Sequence, residues 1–193
     1  MGPQWRQSAV PSDGPDNHGA GAEEWWAVQV WTGRETVSAE HLQQRGYDVF
    51  LPYFVQVRRW SDRVKKVRRA LFDGYLFCLS RAEATGKIIT APGVVRIVGS
   101  PLRPTPVPPE QIHALQRVVE TRLSVEPWPF LQAGQRVRIE AGPLSGVEGL
   151  LVTVRDEQRL VVSVPMLQRS VAVEMPSAWV SVAPAARLRG ALA

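Results

Sequence analysis

From position 24 onward, short apolar runs alternate with polar stretches. Trp25, Trp26, Ala27, Val28, Gln29, Val30 and Trp31 form an aromatic and β-branched run closed by Thr32-Gly33, which predicts a buried strand. Arg34 to Arg45 carries neither Gly nor Pro and stops at Gly46, which predicts a helix. Tyr47 to Val57 returns to strand composition, with Pro52 marking an edge or a bend. A basic stretch then breaks the apolar pattern, which resumes from Ala70 to Leu79, so two strands joined by a charged hairpin are predicted. A short helix follows within Arg81 to Thr90, then a turn at Pro92-Gly93 and a strand over Val94 to Val98. Strand, helix, strand, strand, helix, strand is the order of the ferredoxin-like unit.

From Pro101 to Pro109, five prolines in nine residues argue against regular pairing. Glu110 to Leu123 then places Ile112, Leu115, Val119 and Leu123 at helical spacing. Ser124 to Phe130, with Pro127 and Pro129 around Trp128, has no periodicity and is expected to link two domains. Beyond it, Val137 and Ile139 alternate with Arg136, Arg138 and Glu140, and further short segments follow at 149–154, 159–164 and 170–174. So many short strands in so short a stretch bury a core only by curling into a small barrel. The expected fold class is therefore α+β: a ferredoxin-like α/β sandwich over 24–118, a linker over 119–130 and a small all-β, SH3-like barrel over 131–183. Residues 1–23, rich in Gly, Pro, Ser, Asp and Asn, are expected to be a disordered leader, and 184–193 a tail.

Charge changes this picture more than composition does. The chain has 193 residues, 45% of them hydrophobic, and a net charge of +5. Seven cations (Arg58, Arg59, Arg63, Lys65, Lys66, Arg68, Arg69) lie against one acid, Asp62, in the predicted hairpin, whereas the arginines of 131–182 are matched by acids. One half can face a polyanion, with Trp60 interleaved to stack on a base; the other is balanced. A solvated loop explains such a run equally well.

Catalytic chemistry is sparse. The three histidines, His18, His41 and His113, fall in the leader and on two helices, and no triad, zinc spacing or phosphate loop is present. No enzyme activity, cofactor or metal is expected. Cys78, the one cysteine, sits between Phe77 and Leu79 and reads as an inert core thiol, in keeping with a reducing, cytoplasmic compartment. No apolar run of membrane-spanning length occurs, so no membrane contact is expected. Alternation puts Trp25, Ala27, Gln29 and Trp31 on one face of the first strand and Trp26, Val28 and Val30 on the other. With helices covering one face only, aromatics on the open face are expected to meet a protein partner.

These residues resemble the NusG family of transcription elongation factors over about 24–183. Trp25, Trp26, Val28, Gln29, Gly33 and Glu35 match its N-terminal signature. Phe72, Gly74, Tyr75, Leu76 and Phe77 match its central strand, and Pro92, Gly93, Val94, Val98 and Gly99 its following segment. The barrel resembles a KOW motif through Gly134, Val137, Ile139, Gly142, Pro143, Gly146 and Gly149. The resemblance implies an NGN domain that docks on the clamp helices of RNA polymerase's largest subunit through Trp26, Leu71, Phe72, Tyr75 and Phe77, reducing pausing and promoting antitermination. It also implies a KOW domain that recruits a small-subunit ribosomal protein or Rho through Leu144, Met166 and Leu167.

Two departures resemble specialised, RfaH-like or UpxY-like paralogues: Asp73 replaces a Pro before the Gly-Tyr, and the loop bearing Met166-Leu167 lacks a Phe-Gly. Some of these read non-template DNA with the first helix, which makes Arg34, His41, Gln44 and Arg45 candidate nucleic-acid contacts beside Arg58, Arg59, Arg63, Lys65 and Lys66. A monomer is expected. Two alternatives stay open: a general RNA-binding or ribosome-associated KOW protein, against which the balanced charge of 131–182 argues, and a structural adaptor without polymerase contact.

Overall fold

The computed structural model describes residues 22–59, 64–100, 103–121, 123–129, 135–154 and 157–182. Residues 1–21 of the leader expected over 1–23, the tail over 184–193, Trp60, Asp62, Arg63 and Gly134 lie outside the described residues, and Glu23 of that expected leader already belongs to a strand. Strand β1 (Glu23–Val30) turns at Gly33, whose φ of 82° is left-handed backbone that favours glycine, into helix α1 (Glu35–Gln44). Strands β2 (Asp48–Phe50) and β3 (Tyr53–Arg59) are separated at Pro52, as the pattern predicts. β4 (Val64–Ala70) returns along β3, and β5 (Tyr75–Arg81) follows a turn over 71–74. Helix α2 (Thr85–Ile89) leads to β6 (Val94–Ile97).

β2, β5, β1 and β6 form an antiparallel sheet in that order, while β3 and β4 stand apart as a two-stranded ribbon. The proline-rich segment is not wholly unpaired: β7 (Gly99–Ser100) and β8 (Arg103–Pro104) make a two-residue ladder. Helix α3 (Pro109–Glu120) opens on a proline, whose missing N–H costs nothing in a first turn, and buries Ile112, Leu115 and Val118.

The second half is a six-stranded antiparallel sheet. It comprises β9 (Val125–Trp128), β10 (Gln135–Ile139), β11 (Glu148–Val154), β12 (Glu157–Val164), β13 (Arg169–Glu174) and β14 (Val180–Val182) in the order β14-β10-β11-β12-β13-β9. The expected linker thus holds a strand. β9 lies at the sheet edge, where one side of the backbone needs no partner, so Pro127 is tolerated opposite Val171.

The core divides at the first sheet. Trp26, Val28, Val30, Leu76 and Cys78 pack with Leu42 of α1 and Ile88 of α2. Ala27 and Phe77, on the other face, belong to a cluster that runs through Ile112, Leu115 and Val118 of α3 into Val137, Ile139, Leu160, Val162 and Val171 of the second sheet. The expectation of an open face is therefore overturned, because α3 and the second sheet continue the core on the side that α1 and α2 leave bare. α3 lies against β12, and β3 approaches β9.

Candidate functional site

The turn over 71–74 carries the apolar residues expected to dock, and its position is set by one carboxylate. Glu35, buried in the first turn of α1, accepts hydrogen bonds at Oε1 from the N–H of Gly33 (3.0 Å) and of Gly74 (2.8 Å). Val30 N–H donates to the Gly74 carbonyl at 2.9 Å, so the end of β1, the start of α1 and this turn are tied together. Gly74 has φ 79°, and a Cβ there would lie 3.0 Å from Thr32 Oγ1. The motif residues Gly33, Glu35 and Gly74 thus share one structural task.

The rings form a chain across the sheet. Phe72 meets Phe77 edge-on at 6.0 Å between centroids, Phe77 stacks with Phe50 at 5.9 Å, and Phe50 meets Trp25 edge-on at 6.5 Å. Leu71, Phe72 and Phe77 are at most 2% exposed, and Tyr75 is half-buried. Trp26 does not join them. Strand alternation turns it toward α1 and α2, where its indole N–H donates to the Ser80 carbonyl at 2.9 Å. Trp25 is an aromatic of the face expected to be open, but nothing in the sequence marks Phe50, since ring contacts across strands depend on a pairing order that local pattern leaves undetermined.

The second candidate set lies in the same cluster as the first. Leu144 is fully buried, Leu167 is buried and Met166 packs against the cluster half-buried. Arg117, on the polar side of α3, donates from Nε (3.2 Å) and Nη2 (2.7 Å) to the Pro143 carbonyl and from Nη2 to the Ser145 carbonyl (3.1 Å). It holds α3 to the loop that carries Leu144. Nothing in the sequence marks Arg117, because an arginine on a helix's wet face is ordinary.

Of the nucleic-acid candidates, Arg34 and Gln44 are exposed and His41 is half-buried on α1. Arg45 is engaged: it donates to the Lys87 carbonyl, to Thr90 Oγ1 (both 3.0 Å) and to the Thr90 carbonyl (3.2 Å), closing the C-terminal end of α2. Arg58 and Arg59 are in β3, and Lys65 and the exposed Lys66 in β4. Cys78 is fully buried; desolvation, then the charge of Asp48, push its thiol up to about 12. Among the described residues, no three His, Cys, Asp or Glu side chains come together to hold a metal, and no helix is long and apolar enough to cross a membrane.

An α/β domain followed by an all-β sheet region matches the NusG fold. Residues 23–116 match the family model for NusG, described as transcription termination factor NusG. The transcription termination/antitermination protein NusG of Staphylococcus epidermidis is 27% identical over 173 residues, covering 80% of this chain and 93% of its own. Its counterpart of the same name in Thermus thermophilus is 28% identical over 175 residues, covering 79% and 94%. A solved structure concerned with domain interaction in Thermotoga maritima NusG has the same fold, with a TM-score of 0.50 at 21% identity over 83% of this chain and 97% of that one. These matches support a NusG-family factor.

Proposed function

We propose that this chain is a cytoplasmic, monomeric transcription elongation factor that docks on the clamp helices of RNA polymerase's largest subunit through Leu71, Phe72, Tyr75 and Phe77. In this reading it lessens pausing, favours antitermination and recruits a small-subunit ribosomal protein or Rho through Leu144, Met166 and Leu167. The supporting observation is that both residue sets lie in one apolar cluster. Surfaces of this kind, left bare, are aggregation liabilities, and burying them together hides both. Docking through either then requires the second sheet to move away from α3, breaking the Arg117 bonds. Trp26 has no part in the docking face, because it is sealed under α1 and α2. The Thermotoga maritima protein, described by an interaction between its domains, is a fitting precedent.

Arg34, which precedes α1, and His41 and Gln44 on it are the proposed contacts to non-template DNA. Asp73, exposed and 3.6 Å from Arg69, supports a specialised paralogue, since its carboxylate ties the aromatic turn to the ribbon in a way a proline does not. A general RNA-binding role for the second sheet is less well supported: its Arg159 is ion-paired to Glu126 and, at 3.0 Å, to Glu174. The test is capture of purified RNA polymerase by the full chain. Arg117→Ala, which frees the second sheet, is expected to raise capture several-fold, and Tyr75→Ala added to it to remove most of that gain. Equal capture by Arg117→Ala and the double variant, with matching thermal melts, would falsify docking through this face.

A further inference from the structure

We propose that β9 is a releasable strap: paired with β13 it keeps the second sheet on a short tether, and peeled away it lets that sheet travel farther from the first domain. The inference rests on the proposed separation of the second sheet from α3, and concerns how far the sheet then moves rather than what it binds. α3 ends at Glu120 and β9 begins at Val125. Glu174 N–H donates to the Ser124 carbonyl at 3.2 Å, so the second sheet takes hold of the chain already at Ser124. Residues 121–123 alone are left between the two, a tether of at most about 14 Å when extended. β10 begins at Gln135, so with β9 unpaired the chain from Glu120 to Gln135 spans up to about 50 Å.

β9 is attached differently from the strand beside it. None of its four residues is buried, whereas β13 buries Ser170, Val171, Ala172 and Val173. Val125 meets the apolar cluster half-buried, and Pro127 has no N–H to give to the ladder opposite Val171. Among the described residues, the outer side of β9 pairs with no strand. One side chain from two strands away compensates. Arg159 of β12 lies opposite Glu174 of β13 and donates to it from Nη2 at 3.0 Å. From Nη1 it reaches past β13 to Glu126 of β9, and its guanidinium sits 5.4 Å from the centre of the Trp128 ring. Glu126 pairs with Ala172, which pairs with Val161, so Glu126 and Trp128 face the side of the sheet that Arg159 occupies. The Arg159 side chain is 14% exposed but that of Glu126 is 47% exposed, so the strap's half of this clasp is open to water and salt.

A tether acts on the closed form through effective concentration, which falls roughly as the −3/2 power of its length. Lengthening it from the Glu120–Ser124 span to the Glu120–Gln135 span lowers that concentration about sevenfold, and the root-mean-square reach grows from about 11 to about 21 Å. Strap release therefore favours the open form and lets the second sheet search a wider volume. The ladder from β10 to β13 stays intact meanwhile, since no buried side chain leaves with β9.

The experiment uses the full chain without polymerase, so polymerase capture and strap release can fail separately. Dyes on Glu40→Cys and Glu148→Cys, exposed positions in the first and second domains, report their separation by single-molecule energy transfer, and Cys78, fully buried, stays unlabelled. Amide exchange read by mass spectrometry compares 124–129 with 159–164 of β12. In the parent chain, 124–129 is expected to exchange at least tenfold faster than 159–164. In an Arg117→Ala background, Glu126→Lys with Trp128→Ala is expected to speed exchange at 124–129 further, to raise the ratio of open to closed molecules about sevenfold and to widen the open form by about 10 Å. Exchange at 124–129 as slow as at 159–164 overturns the proposal, as does an unchanged open ratio once β9 is free. A Gly/Ser insertion of about ten residues between Thr121 and Arg122 lengthens the tether with β9 in place and is expected to open the chain by a similar factor. If the insertion opens the chain and strap release does not, the strap alone falls; if neither opens it, separation from α3 falls as well. Should the double variant lose protection at 159–164, Glu126→Gln takes its place, and an open ratio unchanged by it overturns the proposal.

Discussion

Replacing Glu35 by alanine tests whether one carboxylate sets the geometry of the aromatic turn. Two backbone N–H groups, of Gly33 and Gly74, converge on a single oxygen of Glu35, at 3.0 and 2.8 Å, in a position 8% exposed. Removing the acceptor leaves Gly74 N–H buried without a partner, at about 1–3 kcal/mol, and the second bond adds about 1 kcal/mol. The carboxylate also sits in the first turn of α1, where the helix dipole favours negative charge by about 0.5 kcal/mol. Glu35→Ala should therefore lose about 3 kcal/mol, which for a chain of this length lowers the melting temperature by roughly 6–12 °C. Glu35→Gln keeps an acceptor oxygen but not the charge and should lose about 1 kcal/mol. Differential scanning calorimetry measures both, and amide exchange at Gly74 locates the loss. A melt of Glu35→Ala within 2 °C of the parent, or exchange at Gly74 no faster than before, refutes the reasoning.

Gly142→Ala should cost about 2–3 kcal/mol by chemical denaturation, because φ is 75° and the new Cβ lands 2.8 Å from the Trp179 ring, whereas Gly146→Ala, at φ 85° with open space around it, should cost about 1 kcal/mol. Equal costs would show that the ring contact is immaterial. Cys78 should resist a thiol reagent at pH 8 in the native chain and react on unfolding. Since its native pKa is raised from 9.0 to about 12, the folded chain keeps a proton that the unfolded chain gives up; stability is full below about pH 9 and falls as pH rises toward 12. Urea midpoints at pH 8–11, compared with those of Cys78→Ala, measure this, and an identical pH dependence in the two proteins refutes it.

Local pattern carried the first sheet well, for reasons that show where it stops. β1, the bend at Pro52 and the turn at Gly93 are each decided by a few neighbouring residues, whereas the pairing order β2-β5-β1-β6 and the separate β3–β4 ribbon are not. β9 was hidden because a strand pairing on one side only has no need of the alternation or the unbroken N–H series that mark a central strand. The apolar stripe of α3 was visible at Ile112 and Leu115, yet a stripe does not say what it packs against; the full burial of Val118 rather than Val119 shows a small rotation of the expected face.

The site was legible as residues but not as a surface, and the difference is physical. Phe72, Phe77 and Leu144 are candidates through a resemblance carried by local motifs; their exposure depends on where a second domain rests, which is not local. Trp26 makes the same point from within one strand, where period-two alternation assigns it to the α1 and α2 side whatever its neighbours in a motif do. Both proposed docking sets lie in one cluster, so each is a cover for a shared core, and a partner that claims either has to outcompete an intramolecular contact already in place. Affinity for such a partner would be reduced to the extent that chains are closed, and on the proposed reading Arg117, through its bonds to the Pro143 and Ser145 carbonyls, sets that balance.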